Sequence, residues 1–592
     1  MKMEIFYKNE LMIILAIILL VLAFYVEVLP IYYQKIENVR KMVPPDPVKP
    51  LPPSGSKMLF FKKAAVCADA ALCAKIGLDI LQKNGSAVDA AIAAMICNSV
   101  VNMQSAGLGG GFFMTIYKKD ENKTYCLNAR EKAPLTANDS LYQTENATSN
   151  GSLSVGVPGE IKGYLRAHEK FGKLQWSELV QPSIELCEKG YLINDHQYSS
   201  FFKNKLNKDD ENLREWFIED DGSFKKPGNT VRPSKLCNFL KLLSENGPED
   251  FYTGTLAKMF LEDVQNIGGI ISEQDMREYD VDWLDPIETT LQNGDHIHTF
   301  PAPGSGAILI FILNILDGFN LNRDSIDGVD NTVRTYQKII ETFKYAYAKR
   351  TKLGDPNFVD MNQITQDLLC KKYAESIRLK LNKSGTSSDP DYYGANFFSK
   401  EDHGTAHVSI IAENGDAVSA TSTVNIYFGA GVTSKQTGII LNSVMDDFSY
   451  SHLINYFGLS GSPTNIMQPG KRPFSSMIPT IITDSCGNVK VVIGGAGGPK
   501  IITSTALVLI RLLWLGENIK EAIDAPRIHH QLFPMEVHYE YGVLKDVVEK
   551  LRSLGHEMNM KTESIVYALY KDKDKIVGTT DNRKPDGGIF GI

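Results

Sequence analysis

The chain has 592 residues, of which 43% are hydrophobic and 22% are charged, as in a folded globular protein. Its formal net charge is only -8, and it contains no Lys/Arg tract and no zinc-finger spacing, so no nucleic-acid partner is expected. No metal or organic cofactor is expected either, because the histidines and carboxylates do not cluster at ligand spacings. A chain of this length can form several domains or one large layered enzyme.

The N-terminus carries an apolar run from Leu11 to Leu29 that only Glu27 interrupts. As a helix this run would span roughly 28 Å, enough for the hydrocarbon core of a bilayer. A cleaved signal or a buried helix is the alternative, but the run is long for a signal and no small-residue cleavage site follows it. We therefore predict a short cytoplasmic tail, 1–10, and a signal-anchor, 11–29, of a single-pass type II protein of the cell membrane with an extracellular body.

Sequons for N-glycosylation support a body that faces the secretory lumen. They begin at Asn84, Asn122, Asn138, Asn146, Asn150 and Asn382. Three of them crowd into one polar, loop-like stretch, which is mild support for this location. The eight cysteines are even in number and widely spread, so they allow disulfides without defining the pairs.

After the anchor, 30–57 is a Pro-rich stretch that is typical of a semi-rigid spacer. Ala-rich helices are predicted at 67–81 and 86–101, and alternating residues predict a pair of strands at 112–117 and 125–129. The next two hundred residues are mostly helical in pattern, with clearer helices at the following positions: 159–171, 174–189, 255–267, 333–347 and 365–381. A polar linker, 384–391, is then predicted to be exposed and mobile.

The character of the chain changes after this linker, because short β-rich runs replace the helices. Two pairs of runs each surround a turn signal of Gly, Asn or Asp residues: 407–412 with 417–425, and 479–483 with 489–494. Helices are predicted at 501–515 and 542–554. Strands at the centre with helices outside predict an α/β layered body.

The dipeptide Gly404-Thr405 stands before the first of these hairpins. Alone it indicates only a turn that enters a strand. A threonine hydroxyl is a poor nucleophile and needs a base beside it. If the bond before Thr405 were cut, its own α-amine would titrate near pH 8 and could serve as that base. The flanking His403 and His407 are therefore interpreted as structural residues.

Several motifs in a fixed order make this hypothesis specific. They are 85–91, 107–111, 128–131, 156–159, 405–425, 445–448, 472–477 and 494–498. Over about residues 60–592 the chain resembles the γ-glutamyltransferase family of N-terminal nucleophile hydrolases. The resemblance implies an αββα sandwich without a cofactor. It also implies a large subunit, 58–404, and a small subunit, 405–592, which self-cleavage between Gly404 and Thr405 creates and which stay together as a heterodimer.

The resemblance also implies the chemistry. Thr405 would attack the γ-carbonyl of glutathione or another γ-glutamyl compound and form a γ-glutamyl-enzyme. Water would hydrolyse this ester, or the amine of an amino acid or dipeptide would accept the glutamyl group. Thr423 would hydrogen-bond the nucleophile, and Gly497 and Gly498 would offer backbone N–H groups to the oxyanion.

The implied binding residues match a free amino-acid head group. Arg130 would clamp the α-carboxylate with two parallel hydrogen bonds, which lysine cannot copy, and Ser475 and Ser476 would add hydroxyl donors. Asn425 and Asp447 would hold the α-ammonium. These groups favour an amino-acid head group over a cephalosporin-type side chain.

Further features follow from the same resemblance. Tyr427 would lie in a lid over the pocket, Lys584 would touch this lid, and Cys73 would pair with Cys97. Val444 departs from the pattern, since many members of the family carry there a glutamate that contacts the α-amine. The loss of one acceptor costs on the order of 1–3 kcal/mol, so weaker or altered donor recognition is predicted.

Two other functions stay open from the sequence. A related acylase or amidase could use the same threonine machinery on another amide. A non-catalytic cell-surface protein could keep the fold, and Val444 is the sequence feature that favours this reading. An uncut chain on a denaturing gel would support the non-catalytic protein.

Overall fold

The computed structural model describes residues 44–203, 206–381, 385–395, 404–452, 461–561 and 564–592. The predicted tail and anchor, the sequon at Asn382 and the flanking His403 lie outside these ranges. Among the described residues, no helix is both long and apolar enough to cross a membrane.

Two seven-stranded sheets form the centre of the molecule. The strands, numbered along the chain, are β1 Leu59–Phe61, β2 Ala65–Ala68, β3 Gly111–Lys118, β4 Lys123–Ala129, β5 Tyr191–Leu192, β6 Thr230–Val231, β7 Asp282–Leu284, β8 Ile287–Thr290, β9 His296–Thr299, β10 Thr405–Ile411, β11 Ala417–Thr423, β12 Thr480–Thr483, β13 Val489–Ala496, β14 Ile528–His529, β15 Val537–Tyr539, β16 Met558–Met560, β17 Ile565–Asp572, β18 Lys575–Thr579 and β19 Gly588–Gly591. The first sheet has the order β1-β18-β17-β13-β12-β9-β8, and the second has the order β19-β2-β10-β11-β3-β4-β7.

The helices lie mostly outside the sheets. Numbered along the chain, they are α1 Ala71–Gln82, α2 Ala87–Val101, α3 Glu145–Ser149, α4 Glu160–Phe171, α5 Trp176–Lys189, α6 Asp195–Ser200, α7 Glu211–Phe217, α8 Ser234–Asn246, α9 Asp250–Thr253, α10 Thr255–Asn266, α11 Glu273–Glu278, α12 Gly306–Asp317, α13 Gly328–Arg350, α14 Asn362–Leu369, α15 Lys371–Leu381, α16 Pro390–Tyr393, α17 Lys500–Leu513, α18 Ile519–Asp524 and α19 Lys545–Ser553. Short 3₁₀ turns include Val444–Asp447 and Pro463–Asn465.

The two sheets pack face to face and helices cover both outer faces, which gives four layers. A cluster that includes Ile411, Val492 and Leu569 fills the space between the sheets. Larger apolar clusters join the second sheet to α1 and α2, and the first sheet to α12, α13 and α17. The predicted layered fold of helices and strands is therefore confirmed.

Local sequence explains how helix α2 begins. Ser86 caps α2 by accepting the N–H of Asp89, and the Asp89 carboxylate accepts the N–H of Ser86 in return. Every residue of α2 is buried, because the helix lies between the sheet and further helices. This position accounts for its small, apolar composition.

Three segments differ from their predicted structure. Cys67 lies in β2 and not in the first helix, because residues 65–68 pair with β10 and β19. The helix predicted at 365–381 is broken at Cys370 into α14 and α15. The described part of the linker, 385–391, is docked, since Thr386 donates to Glu341 at 2.8 Å.

The described part of the predicted spacer, 44–57, lies along the C-terminal half of the chain. Tyr539 donates its hydroxyl to Asp46 at 3.1 Å, and the Lys545 N–H donates to the Pro47 carbonyl at 2.8 Å. Farther along, the Ser54 hydroxyl donates to Asp524 at 2.7 Å. This segment is therefore held against residues that follow Thr405.

The sequons differ in exposure. Asn84, Asn122, Asn138 and Asn146 are exposed, and Asn150 is half-buried. The four exposed positions leave room for a glycan, and their modification stays a prediction.

Two disulfides link neighbouring helices. Cys73 pairs with Cys97 between α1 and α2, as the resemblance implies, and Cys187 pairs with Cys237 between α5 and α8. The free thiols are Cys67 and Cys126, which are buried, and Cys370 and Cys486, which are exposed. Burial raises the pKa of both the Cys67 and the Cys126 thiols, so these two react slowly in the folded protein.

We expect the denatured, unreduced protein to carry four alkylatable thiols out of its eight cysteines. The measurement is the mass shift after alkylation, with a fully reduced sample as the control for complete labelling. Native protein should label rapidly only at Cys370 and Cys486, because the other two thiols are buried. Six labelled thiols in the unreduced sample would contradict the pairing.

Candidate active site

Thr405 begins strand β10, where it pairs with Thr423 at the end of β11. The Thr405 hydroxyl donates to the Thr423 hydroxyl, with 3.5 Å between the two oxygens. The Thr423 oxygen also accepts the Asn425 N–H at 2.9 Å, and its proton is donated to the carbonyl of Gly404. One buried hydroxyl thus connects the candidate nucleophile with the carbonyl of the bond that precedes it.

The backbone at Gly404 packs directly on the loop that follows β11. A Cβ at this position would lie 2.8 Å from the Asn425 carbonyl oxygen and 2.8 Å from the Ile426 carbonyl carbon. Only glycine fits such a close approach without a shift of the backbone. The sequence therefore places glycine where the Thr423 hydroxyl must reach the carbonyl.

His407 lies between the sheets. Its ring nitrogens lie 2.8 Å from the Thr421 hydroxyl and 2.9 Å from the Ser409 hydroxyl. Burial lowers the pKa of His407 to about 3, so the ring is neutral at physiological pH. These contacts support its interpretation as a structural residue.

Strand β13 of the opposite sheet carries the glycine pair to the Thr405 end of the sandwich. A Cβ on Gly494 would lie 2.3 Å from the His407 ring, so these two residues face each other. On the other side of His407, Ser409 donates to the Tyr567 carbonyl of β17, and its cross-strand partner Ser419 donates to the carbonyl of Ile493, the residue before Gly494. Two residues beyond this contact the strands reach Thr405 and Ala496, and Gly497 follows.

Gly497 and Gly498 have φ angles of 119° and 59°, which side chains rarely adopt. They precede the N-terminus of α17, where backbone N–H groups lack partners within the helix. The positive end of the helix dipole favours negative charge there. This geometry suits the predicted oxyanion role.

Arg130 follows strand β4 and is fully buried between two carboxylates. Its guanidinium donates to Glu131 at 3.1 Å and contacts the carboxylate of Asp447. Burial raises the pKa of Glu131, although the neighbouring Arg130 charge opposes this rise. The predicted carboxylate clamp and the predicted ammonium ligand are thus adjacent, as a head group with both charges requires.

Asn465 holds the Asp447 turn beside the serine pair. Its amide donates to the Asp447 carbonyl at 2.7 Å, and its side-chain oxygen accepts the Phe474 N–H at 2.9 Å. Ser475 and Ser476 follow directly and are buried. The structure therefore joins the 444–447 turn and the 472–477 loop through one side chain that the sequence did not single out.

The Ser476 hydroxyl has a hydrogen-bond partner that sequence reasoning missed. Arg350, at the end of α13, donates to its hydroxyl at 2.7 Å. Arg350 is buried and lies far from the motifs in sequence, so no local pattern could have revealed it. Glu131, in contrast, lies inside the Arg130 motif and could have been included.

Asn425 offers an oxygen that is buried and lacks a donor. Its amide nitrogen donates to the Ser443 carbonyl at 2.9 Å. Its Oδ1 has no hydrogen-bond donor among the residues that the structure describes. An unsatisfied buried acceptor is costly in a folded protein, and a bound ammonium would satisfy this one.

Val444 is fully buried at the start of the same 3₁₀ turn. A Cβ on Gly156 would lie 2.3 Å from its Cγ1, so the side chain packs on the Gly156 backbone. Asn442 fixes this contact by accepting the N–H groups of Gly156 and Val444 at 2.9 and 3.0 Å. An apolar side chain therefore lies next to a site that otherwise carries charge.

The structure gives Lys584 partners other than the predicted lid. Its ammonium lies 2.6 Å from Asp69 and 3.0 Å from the Asn102 side-chain oxygen, and all three are buried. A buried ammonium needs such a carboxylate partner. Tyr427 has a neighbour that the sequence analysis did not identify, His196. The Tyr427 hydroxyl lies 3.4 Å from a ring nitrogen of this histidine.

Several known proteins are similar to this chain in sequence. The family model of γ-glutamyltranspeptidase matches residues 73–591. The chain belongs to this family. Scoloptoxin SSD14 of Scolopendra dehaani is 39% identical over 513 residues, which cover 86% of this chain and 89% of that protein. Glutathione hydrolase 5 proenzyme of Mus musculus is 35% identical over 539 residues, which cover 88% and 92% of the two chains.

A solved structure supports the fold of this family member. Cephalosporin acylase from Bacillus halodurans superimposes with a TM-score of 0.77. The match covers 93% of this chain and 99% of that chain at 23% identity. At this identity the likeness concerns the fold alone.

Replacement of Thr423 by valine should slow cutting of the Gly404–Thr405 bond. Valine keeps the shape of the side chain but cannot donate to the Gly404 carbonyl, and the loss of one such donor costs roughly a hundredfold in rate. The measurement is the decay of uncut chain on a denaturing gel. Thr423→Ser, which keeps the hydroxyl, is the matched control. Equal decay of the valine variant and the parent would contradict this role.

Proposed function

We propose that the chain is a self-cleaving γ-glutamyltransferase and glutathione hydrolase with Thr405 as its nucleophile. The observation that carries the proposal is the pair of buried Arg130 with Asp447, in a chain whose Thr405 is linked by Thr423 to the carbonyl before it. The first group matches a substrate with an α-carboxylate and an α-ammonium. The second matches an enzyme that must cut itself, and the mouse relative carries the name proenzyme.

Self-cleavage begins with attack of the Thr405 oxygen on the Gly404 carbonyl carbon. The Thr423 hydroxyl already donates to the oxygen of this carbonyl, so it stabilises the negative charge that develops there. The C–N bond breaks, and the Thr405 nitrogen gains a proton in place of the one that the Thr405 hydroxyl loses. Water then hydrolyses the resulting ester and returns a proton to the Thr405 oxygen. The products are a chain that ends at Gly404 and a chain that begins with a free Thr405 amine.

That amine is the base for the second reaction. An α-amine ordinarily titrates near pH 8, so a useful fraction is unprotonated at neutral pH and can take the Thr405 hydroxyl proton. The oxygen attacks the γ-carbonyl of the donor, and the N–H groups of Gly497 and Gly498 stabilise the oxyanion. The peptide amine leaves with a proton. Water or an acceptor amine then attacks the ester and releases the glutamyl group.

Recognition of the donor rests on charges at its α-carbon. Arg130 offers a planar fork to the carboxylate, with Ser475 and Ser476 as further donors. Asp447 and the donor-free oxygen of Asn425 offer acceptors to the ammonium. A glutaryl amide, which lacks the ammonium, leaves those acceptors unsatisfied, so an amino-acid head group is favoured over an acylase substrate.

The same proposal includes the assembly and location of the enzyme. After cleavage the large subunit, 58–404, and the small subunit, 405–592, form a heterodimer. The apolar run 11–29 anchors the large subunit as a type II protein of the cell membrane, and the exposed sequons support an extracellular, glycosylated catalytic body.

The test is release of the chromophore from a γ-glutamyl anilide by the purified full chain, with and without a dipeptide acceptor. Turnover should rise with the acceptor. Thr405→Ala should remain uncut and lose roughly 10⁴-fold or more in rate, because it lacks both the nucleophile and the free amine. Thr405→Ser, which keeps a hydroxyl, should cut itself and retain turnover. A cut, folded parent chain without turnover would overturn the proposal.

Val444→Glu should lower the KM for γ-glutamyl donors about tenfold, because it restores an acceptor for the α-ammonium. Val444→Gln is the matched control, since it adds nearly the same volume without charge. Thermal unfolding of both variants checks that burial of the larger side chain has not disrupted the turn. Equal KM values for the two variants would show that charge at this position does not govern donor binding.

A further inference from the structure

A cavity of about 680 Å³ lies beside the candidate oxyanion glycines. Tyr427 and Gly497 line it together with His196, Lys203, Asp195 and Asp586. Of the described residues in its wall, none belongs to the head-group set of Arg130, Asn425, Asp447, Ser475 and Ser476. Its size is within the range of small-molecule and peptide sites.

The position of the cavity places it on the nitrogen side of the amide bond that Thr405 would cleave. Gly497 stands at the Thr405 end of β13, and Tyr427 follows Thr423 by four residues. The donor's α-carbon is assigned to the Arg130–Asp447 pair, which does not line the cavity. The nitrogen side of the amide, which carries the leaving or accepting peptide, therefore has this space available.

Lys203 places an ammonium at the cavity wall that no carboxylate of the described residues neutralises. It follows α6, is exposed, and its ammonium lies 5.3 Å from the centre of the Tyr427 ring. Among the described residues, no carboxylate is paired with it. In contrast, Arg583 in the same wall donates to Glu540 at 2.7 Å and to Asp581 at 3.0 Å.

The other titratable groups of the wall define what a ligand would meet. His196 is kept neutral, because burial and the charges of Lys584 and Lys203 lower its pKa well below the usual value. Burial raises the pKa of Asp586. The Lys584 charge opposes this rise, and the charges of Asp195 and Asp69 add to it. Lys203 is therefore the group best suited to attract one carboxylate, while the two acids disfavour a ligand with several.

We propose that Lys203 binds the terminal carboxylate of the peptide that leaves the γ-glutamyl group or accepts it. The cavity beside Tyr427 and Gly497 is then the subsite for a short peptide with a free C-terminus. This inference rests on the proposed γ-glutamyl transfer and names the substrate class on the nitrogen side of the amide. An exposed ammonium–carboxylate contact of this kind gives a modest preference, about three- to tenfold in KM.

The experiment compares glutathione with its glycine amide, using the purified full chain and glutamate release as the readout. In the parent, the KM for the amide should exceed that for glutathione by about three- to tenfold. Lys203→Met should remove most of this difference by raising the KM for glutathione, and Lys203→Arg should restore it. Glycylglycine and glycylglycinamide as acceptors should show the same pattern in the transfer reaction.

Lys208→Met is the matched control. Its ammonium also lies over an aromatic ring, 4.7 Å from the centre of Phe224, but Lys208 does not line the cavity. This variant should discriminate as the parent does. Unchanged discrimination in Lys203→Met, or equal losses with glutathione and its amide, would overturn the assignment. A parent chain inactive on a γ-glutamyl anilide would overturn the proposed function itself, and the assignment with it.

Discussion

A single hydrogen-bonded ladder holds the chain together on both sides of the bond before Thr405. Strand β10 begins at Thr405 and pairs with β2 on one side and β11 on the other, and β11 pairs with β3. Strands from before and after this bond are thus neighbours in one sheet, at β19–β2, β2–β10 and β11–β3. Separation of the two pieces would expose the edges of β2, β10, β11 and β3 and the apolar clusters on both faces. A cut next to Thr405 can therefore free an amine without freeing a subunit. The 44–57 segment adds contacts from the first piece to the second.

The same ladder determines where charge can be buried. Arg130 follows β4 at the end of the sheet, and the turn that holds Asp447 is connected through Asn465 to the loop of the serine pair. A fully buried guanidinium between Glu131 and Asp447 is stable only because these carboxylates contact it and neutralise its charge. In the proposed function, a substrate with both charges exchanges partners with this pair, its carboxylate for Arg130 and its ammonium for Asp447. Val444 bears on that proposal, since an apolar side chain there leaves one fewer acceptor for the ammonium.

Sequence reasoning predicted the parts of this site that lie within short motifs. The hairpin at Thr405, the Arg130 segment and the two glycine-rich loops each carry a local signal, and the alternation of apolar residues located the strands. Asn465 and Arg350 were missed, because their role depends on partners that only the fold brings near. The contact of Lys584 with the lid stays a prediction, and the Asp69 carboxylate that pairs with its buried ammonium was not foreseen. The predicted start of the first helix was wrong because strand pairing determines the structure there: Cys67 lies in β2. The 44–57 segment has the composition of a spacer, and composition does not reveal the surface against which such a segment lies.

The two recognition regions are built from different parts of the chain. The head-group residues come from the end of β4 and from the turns at 444–447 and 472–477, whereas the cavity wall comes from α6, the residues after β11 and the C-terminal loop. Gly497, of the proposed oxyanion pair, lines the wall of the cavity. In the proposed function, a substitution in one region changes the selectivity for one half of the amide without changing the charges that meet the other half. With each half recognised by its own charges, one nucleophile would serve a fixed γ-glutamyl group and a variable peptide.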